Sequence, residues 1–110
     1  MTDEARYRSV EICYGDRVVT SAQVTMSSAV PRTARASLHA EAGHLPAGSR
    51  TNLIDALLDL PEVRNSVHLQ VTCQLGDAES IERLRQRTNH MITRAAGASA
   101  LIDADLPGDQ

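Results

Sequence analysis

A ten-residue segment from Ser66 to Leu75 places the strongest constraint on how this chain folds. Apolar residues recur in it at every second position: Val67, Leu69, Val71, Cys73 and Leu75. Because side chains alternate between the two faces of a strand, this spacing predicts a β-strand with one buried face. A strand that is apolar on one side only predicts, in turn, a sheet that helices cover on one face.

A β-hairpin is predicted ahead of this strand, over residues 7–27. Gly15-Asp16 separates two alternating runs, and glycine at the first central position of a turn favours type II′ geometry. On the second strand of the hairpin, Val18 is expected to face inward and Val19 to face the opposite side.

A strand and a helix are predicted between the hairpin and the alternating segment. Residues 27–33 break the periodicity and contain a proline, so we expect a connector there. Residues 34–42 alternate again, with small side chains on one face. The apolar residues of 50–60 form one stripe on a helical wheel, which predicts an amphipathic helix. Pro61 is expected to end this helix, with a turn over residues 62–65.

A second helix is predicted to begin after Asp77, because aspartate is a common N-cap residue. The end of this helix is ambiguous. It either continues to Ala96, or breaks at Asn89-His90 and gives way to a strand over residues 90–94. We favour the break, because Met-Ile-Thr is better suited to a strand. A last strand is predicted over residues 98–106.

The predicted elements define one α+β domain over residues 7–106, with short tails at residues 1–6 and 107–110. Strand-helix-strand units are right-handed crossovers, so both helices are expected on one face of a mixed sheet. The predicted architecture is a two-layer α/β sandwich with an N-terminal β-hairpin. From residue 34 onward the order of elements resembles the small sandwich of some bacterial RNA-associated and sulfur-carrier domains, a resemblance of topology that implies no function.

The composition narrows the possible classes of function. Eleven basic and fourteen acidic residues give a net charge of −3, which provides no general attraction to nucleic acid or anionic lipid. The sequence has no apolar stretch long enough to span a membrane and no signal-peptide pattern, so we expect a cytoplasmic protein without a membrane partner.

The content of aromatic residues and cysteines bears on stability. The chain has no Phe, no Trp and only two Tyr, so aliphatic side chains must form the core, which predicts modest stability or help from self-association. Cys13 and Cys73 lie in separate predicted strands, outside any CxxC or Cys/His pattern. We therefore expect two reduced thiols.

One face of the predicted sheet carries side chains that are capable of chemistry. If the strands at 34–42 and 66–75 are neighbours, histidines and carboxylates share the face away from the helices, where they could bind a metal or transfer protons. Alternation imposes the same spacing on any half-buried strand, however, so we assign no catalytic residue, no metal ligand and no cofactor. The candidate binding surface consists of His39, Glu41, His68, Gln70 and Thr72.

The arginines of the second helix have a simpler explanation than ligand binding. Arg83 and Arg87 share one side of the helix, where Asp55 and Asp59 of the first helix could pair with them. No aromatic residue lies nearby to stack on a base, so a nucleic-acid partner is not expected.

The leading functional hypothesis is a small non-enzymatic module that acts through protein contacts, either with another protein or as a homodimer. An aromatic-poor core and exposed strand edges motivate this hypothesis. One alternative is a small-molecule or metal-assisted enzyme that uses the open sheet face. A second alternative is a nucleic-acid-binding domain that uses Arg83, Arg87 and Arg94.

Overall fold

The computed structural model describes residues 6–26, 32–41 and 45–107, with side chains from Arg8 onward. Six strands and three helices follow one another along the chain: β1 (Arg6–Tyr14), β2 (Arg17–Met26), β3 (Thr33–Ala40), α1 (Ser49–Asp59), α2 (Pro61–Arg64), β4 (His68–Gln74), α3 (Ala78–Arg87), β5 (Asn89–Ala96) and β6 (Ser99–Asp105).

All six strands join one mixed sheet in the order β1-β2-β3-β4-β6-β5. β3 and β4 are parallel, and every other neighbouring pair is antiparallel. α1 packs on β1 and β2 and also against α3, so the two long helices cover the same face. The predicted fold class, an α+β sandwich with a mixed sheet, an N-terminal hairpin and helices on one face, is confirmed.

The core lies between this sheet face and the helices. It is aliphatic throughout, with Ile54 and Leu57 from α1, Leu84 from α3, Leu69 from β4 and Ile102 from β6 all at most 2% exposed. The opposite sheet face is mostly polar, as the alternation in the sequence predicts. None of the helices in the described ranges has the length and apolar character needed to cross a membrane.

The hairpin forms at the predicted turn but contains a β-bulge. Gly15 has a φ of 67°, which the first central position of a primed turn requires. Ile12 pairs with Thr20 and Cys13 pairs with Val18, so Val19 is an extra residue on β2. The prediction that Val18 faces inward and Val19 outward is therefore wrong: Val18 is exposed and Val19 is buried.

The sequence analysis expected a turn over residues 62–65 after α1. The structure has a short helix there instead. α1 ends at Asp59, one residue earlier than predicted, and Pro61 begins the short helix α2 instead of a plain turn. Proline is favoured at the first helical position, because its missing N–H has no intrahelical partner there. Val63 of α2 is fully buried, so this short helix contributes to the core.

The helix break at residues 89–90 is confirmed. α3 ends at Arg87, and the hydroxyl of the next residue, Thr88, donates to the carbonyl of Leu84 at 2.6 Å. His90 has a φ of 56°, which no helix accommodates. β5 then runs to Ala96, two residues beyond the predicted strand, before a turn at Gly97.

Two predicted segments are only partly covered by the structure. Within the connector predicted at 27–33, residues 27–31 lie outside the described residues, and Thr33 already belongs to β3. β3 ends at Ala40, and residues 42–44 of the predicted strand end and loop also lie outside the described part of the chain.

Candidate functional site

The sheet opens between β3 and β4. These parallel strands pair from Thr33–His68 to Ser37–Thr72, a register of five residue pairs. β3 then continues to Ala40 and β4 to Gln74 without further pairing between them. A gap therefore separates the carboxyl ends of the two strands. In α/β sheets, ligands bind at such carboxyl ends, where neighbouring connections diverge.

The backbone of β3 offers hydrogen-bonding groups to this gap. The N–H of Glu41 donates to the carbonyl of Val19 in β2 at 2.9 Å. Because an antiparallel ladder alternates, the C=O of Leu38 and the N–H and C=O of Ala40 point away from β2, beyond the last register pair of β3 and β4. Buried backbone groups require partners, so these positions are suited to an extended ligand that lies alongside the strand.

A small cavity of about 10 Å³ lies inside the gap. Thr20 and Ser80 line the cavity, and these two residues are 2% and 1% exposed. Among the described residues, neither hydroxyl oxygen has a hydrogen-bond partner. Buried hydroxyls without partners are rare in folded proteins, so these two side chains are unusual features of the cavity.

Arg50 and Asp77 close this cavity with an ion pair. The Nη1 atom of Arg50, at the start of α1, lies 2.9 Å from Oδ2 of Asp77, and the Asp77 side chain is only 4% exposed. Asp77 is also the N-cap of α3, since its Oδ1 accepts from the N–H of Ser80 at 3.1 Å. The predicted helix start at Asp77 is confirmed, and its carboxylate joins the amino ends of both long helices.

Asp77 also influences the neighbouring thiol. Burial of Cys73 in β4, helped by the negative charge of Asp77, raises the pKa of the thiol to about 11. The thiol is therefore protonated at neutral pH, and it forms no disulfide. Cys13 is also free and is exposed, in agreement with the expectation of two reduced thiols.

A second contact joins the same two helix ends. Both the backbone N–H and the hydroxyl of Thr51 in α1 donate to Oε2 of Glu79, at 2.9 Å each. Glu79 lies in the first turn of α3. The N-cap position of α1 is Gly48, which has no side chain to satisfy the first amides of the helix. A carboxylate from the neighbouring helix takes that role instead.

The predicted binding surface spreads along the whole open face. β3 and β4 are neighbours, and His39, Glu41, His68, Gln70 and Thr72 all project from the side away from the helices. His39 and Glu41 lie at the carboxyl end of β3, beside the gap, and His39 lines it. His68 pairs with the first residue of β3, about 20 Å away at the usual rise per residue. The two histidines therefore belong to different ends of the sheet.

His68 takes part in a hydrogen-bonded cluster at its own end of the sheet. Its Nδ1 lies 2.8 Å from Oδ1 of Asp105, and Nδ1 of His90 lies 3.1 Å from Oδ2 of the same carboxylate. Over the described ranges, no group of three or more His, Cys, Asp or Glu side chains is arranged to hold a metal ion. The Asp105 carboxylate contacts both imidazoles and is exposed to solvent.

The helix arginines form the expected ion pairs. Arg83 contacts both oxygens of Asp55, at 2.8 and 3.0 Å, and Arg87 reaches Asp55 at 2.7 Å and Asp59 at 3.8 Å. The hydrogen bond from Arg83 lowers the pKa of Asp55, and the same contact raises the pKa of Arg83. Whether the chain forms a homodimer, binds another protein or lacks a nucleic-acid partner stays a prediction.

Sequence analysis missed the gap between β3 and β4. The available signals were Gly48-Ser49 and Gly76-Asp77, each of which follows one of the two parallel strands and precedes a long helix. The second pair lacks the several glycines and the lysine of a phosphate-binding loop. Neither pair reveals how far two strands remain paired.

Solved structures with a similar fold include acetyltransferases, some of them of the GNAT type. An acetyltransferase of Salmonella typhimurium, yncA, determined with its cofactor acetyl-CoA, has a TM-score of 0.65 and 16% identity over 94% of this chain and 66% of its own. An acetyltransferase of Sphaerobacter thermophilus has the same TM-score at 15% identity, over 96% of this chain and 67% of its own.

A third similar structure is the ribosomal-protein-S18-alanine N-acetyltransferase of Escherichia coli. It has a TM-score of 0.62 and 16% identity, over 96% of this chain and 72% of its own. The present chain thus spans about two thirds of the length of the first two of these acetyltransferases. At these identities the likeness establishes the fold. No protein-family model and no curated protein matches the sequence.

These comparisons correct the leading functional hypothesis. A non-enzymatic interaction module was expected, yet the solved structures that share the fold are described as acetyltransferases, one of them with its cofactor acetyl-CoA. The interaction module and the expectation of no enzymatic activity are therefore wrong, and the enzyme alternative is the better-supported class. Sequence analysis took the absence of a recognisable catalytic motif as evidence against an enzyme, but a site built from backbone groups and helix ends leaves no such motif.

Proposed function

We propose that this protein is an acyltransferase that moves an acyl group from acetyl-CoA, or a related thioester, to an amine. The observation that carries the proposal is the gap between β3 and β4, where the register ends at Ser37–Thr72 and the backbone of Ala40 points away from β2. The similarity to yncA, which was determined with acetyl-CoA, supports the choice of cofactor.

The residues around the gap fit such a cofactor. Its linear arm carries amide groups that can pair with the backbone of a strand end, as an added peptide strand does. The hydroxyls of Thr20 and Ser80, buried without partners among the described residues, provide further polar contacts inside the gap. Arg50 and the amino end of α1 supply a guanidinium and helix amides for the phosphates.

The cofactor contributes thioester chemistry: an amide C–N bond forms, the C–S bond breaks, and the thiol departs with a proton. The protein must therefore accept a proton from the attacking amine. His39 is suited to this role, because its exposed side chain lies at the gap, on the face where an acceptor can approach. Glu41 nearby pairs with Arg17 at 3.1 Å and is less available.

The proposal is tested first by cofactor binding. We expect acetyl-CoA to bind the wild-type protein in calorimetry and to shift the NMR amide signals of Leu38, Ala40 and Thr51 more than those of the His68–Asp105 region. Release of free thiol in the presence of amines then measures transfer. The proposal fails if acetyl-CoA at millimolar concentration produces neither heat nor these shifts.

Arginine variants test the phosphate contact. Arg50→Met should weaken acetyl-CoA binding about tenfold, the usual cost of a lost charge-assisted contact. Arg94→Met is the matched control, because Arg94 lies on β5 and its one ion pair among the described residues is with Asp103, at 3.7 Å. Circular dichroism of both variants verifies that they are folded. Equal affinity of the two variants for acetyl-CoA would show that Arg50 does not contact the phosphates.

Histidine variants test the proton acceptor. His39→Gln should lower kcat by about 10²-fold or more and abolish the acidic limb of the pH-rate profile, with acetyl-CoA affinity unchanged. His68→Gln removes the same kind of side chain from the same face at the far end of the sheet, and it should leave both quantities as in the wild type. An unchanged pH profile in His39→Gln would exclude His39 as the base.

A further inference from the structure

Three side chains of β3 form one row on the open face of the sheet. Arg35, Ser37 and His39 are exposed, and buried residues alternate with them along the strand. Because every second residue of a strand lies on the same face, Arg35 is about 13 Å from His39 along this row. His39 lies at the gap. The row therefore leads from the proposed proton acceptor to a guanidinium farther along the same face.

A groove of about 450 Å³ follows this row on the open face. Apart from Arg35, its polar side chains are uncharged amides and hydroxyls from β2, β3 and β4, namely Gln23, Thr25, Ser37, Gln70 and Thr72. In the sheet register Thr25 and Gln70 lie on either side of Arg35. Within the described part of the chain, Arg35 is thus the one charged residue that lines the groove.

The guanidinium of Arg35 is available to a ligand. Among the described residues it forms no ion pair. The carboxylate in the same row of the register, Asp103 of β6, lies beyond Gln70 and pairs with Arg94 at 3.7 Å. Arginine binds planar carboxylates through two parallel hydrogen bonds. A single guanidinium balances one negative charge, so the groove fits a carboxylate better than a phosphate, which carries close to two negative charges at neutral pH.

We propose that this groove is the acceptor site, and that it takes an extended amine with a carboxylate at its other end. This inference rests on the proposed function and names the class of its acceptor substrate. Arg35 binds the carboxylate, and the amine reaches the gap beside His39. Transfer forms the amide C–N bond and breaks the C–S bond of the thioester, and the amine proton passes through His39 to the departing thiol. The carboxylate stays on Arg35 unchanged.

Matched acceptors test this assignment in the wild-type protein with acetyl-CoA. ε-Aminocaproate carries its amine and carboxylate several bonds apart, ε-aminocaproamide is its uncharged equivalent, and glycine has both groups together and cannot span the row. We expect kcat/KM for ε-aminocaproate to exceed the values for the other two acceptors at least about tenfold, the usual effect of a charge-assisted contact. Equal kcat/KM for the acid and its amide would overturn the inference.

Replacement of Arg35 should remove this preference. In Arg35→Gln, kcat/KM for ε-aminocaproate should fall at least about tenfold, while kcat/KM for the amide and the affinity for acetyl-CoA stay as in the wild type. Arg94→Gln is the matched control, because it makes the same charge change on the same face of the sheet, outside the groove. Circular dichroism verifies that both variants are folded. An equal loss of preference in both variants would assign the effect to overall charge and contradict the role of Arg35.

Caproate, which has no amine, separates carboxylate binding from acyl transfer. At millimolar concentration and without acetyl-CoA, it should shift the NMR amide signal of Gln70 in the wild type but not in Arg35→Gln. These shifts in a protein that acylates no amine would support the carboxylate site and count against the proposed function. Acyl transfer without a response of Gln70 to caproate would uphold the proposed function and overturn the inference. A larger response to inorganic phosphate would also overturn it, because the groove would then select phosphate.

Discussion

Arg50 and Asp77 form a 2.9 Å ion pair that joins the amino end of α1 to the amino end of α3. The carboxylate also caps α3 through the N–H of Ser80, so one buried side chain stabilises two helices that follow the two parallel strands. The position of these helix ends, and hence the width of the gap, depends on Asp77.

Two substitutions separate the roles of Asp77. Asp77→Asn keeps an oxygen that can cap α3 but removes the ion pair, and we expect it to lower the free energy of unfolding by about 1 kcal/mol. Asp77→Ala removes both contacts and should cost about 2 kcal/mol. Urea denaturation measures both values. Asp59→Asn, at a 70% exposed carboxylate, is the control for loss of charge. Asp77→Asn with wild-type stability would show that the ion pair contributes nothing.

Replacement of Thr20 should separate stability from binding. Thr20→Val keeps the shape of the side chain and removes a buried hydroxyl that has no partner among the described residues. We expect the free energy of unfolding to rise by about 0.5–1 kcal/mol and the affinity for acetyl-CoA to fall at least about threefold. Thermal denaturation and calorimetry measure the two effects. Thr25→Val on the same strand serves as control. A loss of stability in Thr20→Val would mean that the hydroxyl is satisfied within the folded chain.

The contact between Asp55 and Arg83 should appear in the acid stability of the protein. Because Arg83 lowers the pKa of Asp55 below its ordinary value of 3.8, the folded state binds the Asp55 proton more weakly than the unfolded state does. The stabilisation is therefore complete above about pH 5 and is lost as the pH falls below 3.8. Asp55→Asn should be less stable than the wild type at pH 7, by about 1 kcal/mol or less.

Urea denaturation as a function of pH provides the measurement for this contact. The difference between wild type and Asp55→Asn should be constant at neutral pH and should shrink in acid. A difference that grows as the pH falls would contradict the assigned direction of the pKa.

The two cysteines should react at very different rates. Cys13 is exposed, whereas Cys73 is 3% exposed and its thiol has a pKa of about 11. Alkylation at neutral pH, followed by mass spectrometry, should modify Cys13 first and Cys73 only after denaturation, because the thiolate is the reactive form. In Cys13→Ser the folded protein should remain unmodified. Rapid labelling of Cys73 in that variant would show that β4 is open to solvent.

Most elements of the fold could be predicted because their causes are local in the sequence. Alternation defines β4, the apolar stripe defines α1, and Asp77 marks the start of α3 within a residue. The end of α3 before β5 could also be predicted, because β-branched residues near His90 favour a strand over a helix. The face on which Val19 lies was predicted wrongly, because one extra residue in a hairpin strand moves the residues beside it to the opposite face of the sheet. The alternation of the sequence does not show that this extra residue is present.

The candidate site could not be predicted because its contacts join distant parts of the chain. Thr51 and Glu79 are separated by 28 positions, and each residue alone suggests only a helix start. The length of the pairing between β3 and β4 depends on how the two helices pack, which periodicity does not encode. His39 and Glu41 were named on the correct face, but the feature that makes their end of the sheet special is the gap beside them.

The short register between β3 and β4 divides the sheet into two sets of antiparallel strands. β1, β2 and β3 form one antiparallel unit, and β4, β6 and β5 form the other. Among the described residues, the two units pair only through the five residue pairs between Thr33–Ser37 and His68–Thr72. Each unit keeps its own hydrogen bonds independently of the other, and the cavity of about 10 Å³ lies where the two units part.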